Sequence, residues 1–139
     1  MDRPPHAGLR HLALNVRSLV EMKRFYVDLL GFTIEWEPDP DNVYLSSGID
    51  NLALHRPAEA SRSDVADVSR ASDSALDHLG LIVRSADDVD RWAAFLESHG
   101  VVIDARPRTH RDGARSCYFR DPDGNHVQII HHPPISSRI

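Results

Sequence analysis

The chain states one structural unit twice. His11-Leu-Ala-Leu-Asn-Val16 is followed by Ser18-Leu-Val-Glu21 and by Phe25-Tyr-Val-Asp-Leu-Leu-Gly31. His78-Leu-Gly-Leu-Ile-Val83 is followed by Ser85-Ala-Asp-Asp88, by Trp92-Ala-Ala-Phe-Leu96 and by Gly100. An offset of 67 residues relates His78 to His11, Ser85 to Ser18, Trp92 to Phe25 and Leu96 to Leu29, and it becomes 69 at the paired glycines. Two copies are too few for a solenoid, so the expectation is one domain, residues 1–139, made of two half-domains that share a sheet. Each copy also puts a histidine at the same place in its first strand, which is how a metal site on a pseudo-symmetric seam begins.

Each copy opens with alternation of period two. Leu12, Leu14 and Val16 share one face, and His11, Ala13 and Asn15 share the other. In the second copy Leu79, Leu81 and Val83 oppose His78, Gly80 and Ile82. The apolar face should pack on a helix, and the histidine face should look into something more polar. Ser18 with Glu21 and Ser85 with Asp88 have capping-box spacing. The helices that follow align Met22, Phe25, Tyr26 and Leu29 with Val89, Trp92, Ala93 and Leu96 as core-facing stripes. Gly31 and Gly100 fall where a helix ends in positive φ.

Three strand-like runs follow each helix: 32–37, 42–47 and 51–56 in the first copy, 101–106, 114–120 and 125–131 in the second. Turn residues separate them, among them Asp121-Pro-Asp-Gly-Asn125, which reads as a hairpin turn. The modules are therefore βαβββ over residues 9–56 and βαβββ over residues 76–132, and the Ala-, Ser- and Asp-rich stretch 57–75 reads as a linker.

Composition narrows the function classes. A formal charge of −5 with both signs scattered argues against nucleic acid and against a polybasic membrane surface. A single cysteine, Cys117, excludes an internal disulfide and any CxxC motif. No apolar run is long enough to span a membrane, and the first residues carry no signal-peptide core, so a cytoplasmic protein is expected.

The motifs His11-Leu-Ala-Leu-Asn-Val, Phe25-Tyr-Val-Asp-Leu-Leu-Gly-Phe32, His78-Leu-Gly-Leu-Ile-Val and Tyr118-Phe-Arg-Asp-Pro-Asp-Gly-Asn125, in this order and spacing, resemble the vicinal-oxygen-chelate superfamily. That superfamily includes glyoxalase I, extradiol dioxygenases, fosfomycin-resistance enzymes and bleomycin-binding proteins. The resemblance covers nearly the whole chain. It implies an α+β fold of two βαβββ modules forming a cup-like incomplete barrel, helices outside, usually in homodimers. In metal-dependent members the ligands come from the first and last strand of each module. Carried over, the first-strand positions fall on His11 and His78 and the last-strand positions on His55 and Gln128. Alternation agrees for His55, which takes the face opposite Leu52 and Leu54.

Three imidazoles and an amide contribute no negative charge. Such a set disfavours magnesium and calcium and suits zinc, iron, nickel, cobalt, manganese or copper. It also favours a substrate that is anionic when bound, chelating through neighbouring oxygens. His126 shares strand parity with Gln128, about 7 Å away, as a candidate catalytic proton carrier. The lack of a last-strand carboxylate speaks against a standard glyoxalase I mechanism, which needs a glutamate base. It also speaks against a two-histidine, one-carboxylate dioxygenase site and against thiol transfer of the resistance-enzyme type. The leading expectation is a metal-dependent enzyme of the glyoxalase/dioxygenase type acting on a small oxygen-rich molecule by Lewis-acid activation. The alternative is a metal-free protein that sequesters a drug or metabolite.

Overall fold

The structure is a computed structural model that describes residues 1–58 and 75–139. Almost all of the expected linker, residues 59–74, lies outside the described residues. The chain divides into two compact units, Met1–Ala66 and Asp67–Ile139.

In the first unit, β1 (His11–Asn15) leads to α1 (Leu19–Arg24), which runs on as a π-helical turn over Phe25–Leu29. Then come β2 (Thr33–Asp39), β3 (Asn42–Ser46) and β4 (Asn51–His55). The sheet order is β1-β4-β3-β2, with β1 parallel to β4 and the other pairs antiparallel. The second unit repeats this. β5 (Leu79–Ile82) and α2 (Ala86–Ser98) precede β6 (Ile103–Thr109), β7 (Arg115–Arg120) and β8 (His126–His131), in sheet order β5-β8-β7-β6. Among the described residues each unit closes hydrogen bonds within its own four-stranded sheet, in place of the shared sheet expected from the repeat. The fold is α+β, two βαβββ units.

Local chemistry sets the element ends. Ser18 Oγ accepts from the Glu21 amide at 3.3 Å. Ser85 makes a complete capping box with Asp88: its Oγ accepts from the Asp88 amide at 3.2 Å, and Asp88 accepts from the Ser85 amide at 3.3 Å. Gly31 and Gly100 both adopt φ +80°, a backbone that side chains disfavour, so each helix ends where the sequence places it. The β7–β8 hairpin closes on Asp121, a buried carboxylate that accepts from the amides of Asp123 and Asn125 at 3.0 and 2.9 Å. A short helix, α3 (Pro133–Ser136), follows β8 and was not expected from periodicity. Its two leading prolines occupy the first turn, where a missing N–H costs nothing.

One face of each sheet is apolar and packs on its helix. Leu14, Val16, Val43, Leu45, Leu52 and Leu54 are buried with Met22 and Tyr26 of the first helical segment. Tyr26 meets Phe32 edge-on at 5.5 Å. In the second unit Cys117, Phe119, Val127 and Ile129 are buried with Val89, Ala93 and Leu96. Arg115 also donates twice to Asp90, at 2.7 and 2.8 Å, tying β7 to α2 and holding the Asp90 carboxyl below its usual range.

Two predictions follow from this packing. Leu54→Ala should cost about 2–5 kcal/mol in urea unfolding, against less than about 0.5 kcal/mol for the exposed Val20→Ala. Equal costs would contradict the assigned faces. Burial pushes the Cys117 thiol up to about 11, so almost none is thiolate at neutral pH. A disulfide thiol reagent should leave native protein unlabelled and label it fully in denaturant. Rapid stoichiometric labelling of native protein would contradict this.

Candidate functional site

The ladders decide which residues share a level on the polar face. In the first unit the parallel β1–β4 pair sets His11 opposite Asn51, Ala13 opposite Ala53 and Asn15 opposite His55. In the second unit Gly80 stands opposite Gln128. The next ladder agrees, pairing Tyr44 with Ala53 and Tyr118 with Gln128. Gln128 and Ala53 are therefore equivalent positions, and the first unit has a methyl group where the second has an amide. His55 lies two residues further along and shares its level with Asn15, not with His11. Four residues at roughly 3.3 Å each put about 13 Å of strand between the two histidine levels. The ladder thus gives His11 and His55 a common face without bringing them together. Among the described residues no three His, Cys, Asp or Glu side chains gather as an ion-holding group.

Each of the three histidines proposed from the sequence is held by Nδ1. His11 Nδ1 lies 2.7 Å from Asn51 Oδ1, and His55 Nδ1 lies 2.6 Å from Asn42 Oδ1. His78 Nδ1 lies 2.6 Å from Asp77 Oδ1. The partner in each case is an acceptor: Asp77 because it is a carboxylate, and Asn51 and Asn42 because neighbouring carboxylates make them so. Asn51 Nδ2 donates to Glu35, and Asn42 Nδ2 donates to both oxygens of Asp39 at 2.9 and 3.0 Å. A carboxylate accepts only, so the amide NH2 must face it and the amide oxygen must face the imidazole. Nδ1 then donates, which leaves Nε2 as the ring nitrogen that can offer a lone pair. None of the three Nε2 atoms has a hydrogen-bond partner among the described residues. This arrangement, one ring nitrogen donating to an oxygen and the other open, is how metal-bound histidines are usually oriented.

Gln128 is held with the same polarity. Its Nε2 donates to Tyr118 Oη at 2.7 Å, which leaves Oε1 without a partner among the described residues. Oε1 points to Gly80, where a Cβ would stand 3.2 Å away. Glycine at that position keeps room for the amide oxygen. The Tyr118 ring meets His78 edge-on at 5.3 Å. Burial first, then the Asp77 charge, raise the Tyr118 hydroxyl above its usual range, so it stays protonated at neutral pH. His126 lies on the same face of β8, its Nε2 3.8 Å from Asp104 Oδ2 and its ring 6.4 Å from Tyr118. At the far end of the first unit, Tyr44 meets His55 edge-on at 5.7 Å and stacks on Trp36 at 5.1 Å.

The orienting residues Asn42, Asn51, Asp39, Glu35 and Asp77 were missed by the sequence reading. Asp77 had a signal, since it directly precedes His78. Asn51 and Asn42 had a weaker one, because strand parity places them on the histidine face. Glu35 had none, because β2 is irregular there.

Residues 8–129 match the model of the Glyoxalase/Bleomycin resistance protein/Dioxygenase superfamily. The chain is 33% identical over 136 residues to the Escherichia coli protein YaeR, covering 87% of this chain and 93% of that one. It is 25% identical over 123 residues to the metallothiol transferase FosB of Staphylococcus saprophyticus, covering 88% of this chain and 75% of that one. Among solved structures, a lactoylglutathione lyase from Agrobacterium tumefaciens superposes with a TM-score of 0.74 over 92% of this chain and 96% of that one, at 24% identity. The twofold βαβββ architecture, the repeat-related His11 and His78 and the family match together make this chain a member of the glyoxalase/bleomycin resistance protein/dioxygenase superfamily.

Proposed function

We propose that the chain is a metal-dependent enzyme of the glyoxalase/dioxygenase type acting on a small oxygen-rich molecule. Its ion would be a transition metal, and the candidate donors are His11 Nε2 in the first unit and His78 Nε2 and Gln128 Oε1 in the second. The observation that carries this reading is the common orientation of the imidazoles, with Nδ1–H committed to an oxygen and Nε2 open. The open Oε1 of Gln128 beside Gly80 adds a neutral oxygen donor. The metallothiol transferases among the relatives support metal dependence by their name.

A divalent ion bound there would polarise substrate oxygens as a Lewis acid. The rest of the work falls to the chain's own groups. The donor set is neutral, so the substrate is expected to supply anionic oxygens. Tyr118 accepts from Gln128 and keeps its own O–H to donate to a substrate oxygen. His55, which the register takes away from His11, is proposed as a proton acceptor at Nε2 in place of the ligand role expected for it. His126 is the corresponding proton carrier of the second unit. A homodimer in the cytoplasm belongs to the same proposal.

Ala53 favours the second reading, a metal-free binding protein, since the first unit has a methyl group where the second has the Gln128 amide. Elemental analysis of protein purified without chelator or affinity tag separates the two. Close to one equivalent of zinc, iron, nickel, cobalt or manganese per chain is expected. His11→Ala and His78→Ala should lower metal affinity by at least about tenfold, and His55→Ala should leave it unchanged. No metal in wild-type protein, and none taken up at micromolar concentration, would hand the function to the binding reading.

A further inference from the structure

We propose that Glu35 is a positioning residue that sets the tautomer of His11 through Asn51, and that an acidic bulge residue is a device built into both units. The metal part of this inference rests on the reading above; the tautomer part stands without it.

The β2–β3 ladder pairs Ile34 with Leu45 and Trp36 with Tyr44, so two residues of β2 pass while β3 advances one. Glu35 is the extra residue of a β-bulge. The β6–β7 ladder does the same, pairing Ile103 with Phe119 and Ala105 with Tyr118, and its extra residue is Asp104. The offset from Glu35 to Asp104 is 69 residues, the offset that relates Gly31 to Gly100. A bulge re-aims a side chain that regular alternation would send elsewhere. Here it brings a carboxylate to the histidine face in both units. Glu35 accepts from Asn51, and Asp104 accepts from Arg120 Nε at 3.1 Å and stands 3.8 Å from His126 Nε2. Asn51 and His126 are themselves equivalent, since each lies two residues before the matched pair Ala53 and Gln128.

The consequence for His11 follows from donor counting. The two ends of an amide are alike in shape, so Asn51 alone can offer His11 either its oxygen or its NH2. Were the NH2 offered, His11 Nδ1 would have to accept, its proton would sit on Nε2, and that nitrogen could bind no ion. The Glu35 carboxylate takes the NH2 and leaves only the oxygen for His11. Glu35 touches neither substrate nor ion; it acts through Asn51.

The test compares wild type, Glu35→Ala, Asn51→Ala, the double variant and Glu37→Ala, a β2 carboxylate that pairs with Lys23 instead. Cobalt(II) binding is read by calorimetry and visible absorption, and the His11 tautomer in metal-free protein by imidazole nitrogen NMR. Thermal melting checks that each variant folds. Wild type and Glu37→Ala should show Nδ1–H at His11, and Glu35→Ala should show a mixture of tautomers. Cobalt affinity should fall about 10–100-fold in Glu35→Ala, and the double variant should bind no more weakly than Asn51→Ala alone. Unchanged tautomer in Glu35→Ala, or losses that add in the double variant, would overturn the inference. A wild type that binds no cobalt yet shows the tautomer shift in Glu35→Ala would sink the metal reading and leave the positioning role standing.

Discussion

Pairing the first strand of each unit with its last, in parallel, is the constraint on which the rest of this molecule depends. A strand has two faces, and the pairing register decides which side chains meet on each. In the first unit it sends Leu14, Leu52 and Leu54 to the buried side, where Met22 and Tyr26 of the helical segment cover them. The same pairing leaves His11, Asn51, Ala53 and His55 together on the other side. A slip of one residue would bury the histidines and expose the leucines. Hydrophobic burial of one face therefore fixes the chemistry offered by the opposite one.

Polar groups on that face are then oriented by hydrogen bonds that run in one direction. Carboxylates accept from asparagine amides, asparagine oxygens accept from imidazole Nδ1–H, and Nε2 is left as the open atom. In the second unit Asp77 acts directly on His78, and Tyr118 does the corresponding work for the Gln128 amide. The result is neutral donors in each unit: a carboxylate orients His78 directly, carboxylates orient His11 and His55 through an asparagine, and a phenol holds Gln128. Neutral donors leave the charge of any ion they bind largely uncompensated, which ties the donor identities to the anionic substrate proposed.

The sequence was informative wherever a pattern is local or repeated. The offset between His11 and His78, the capping serines, Gly31, Gly100 and the Asp121 turn all stand where the repeat and turn chemistry place them. What the sequence could not supply was long-range register. His55 and Gln128 look alike in one dimension, each a polar residue on a last strand. Only the ladders show that Gln128 corresponds to Ala53 and that His55 sits two residues beyond. The bulges at Glu35 and Asp104 were invisible for a related reason. Alternation assigns a face by counting in twos, and one inserted residue reverses the count. The expectation of a shared sheet failed because each unit satisfies its strand pairing internally.

The ring nitrogen left open on each histidine decides which atom can receive an ion. A crystal of protein loaded with zinc, with anomalous data collected at the zinc edge, tests it most directly. The predicted result is zinc about 2.0–2.1 Å from Nε2, and not from Nδ1, of His11 and of His78, with no peak at His55. A peak bound through Nδ1, a peak shared by His55 and His11, or no peak at His11 or His78 would contradict it.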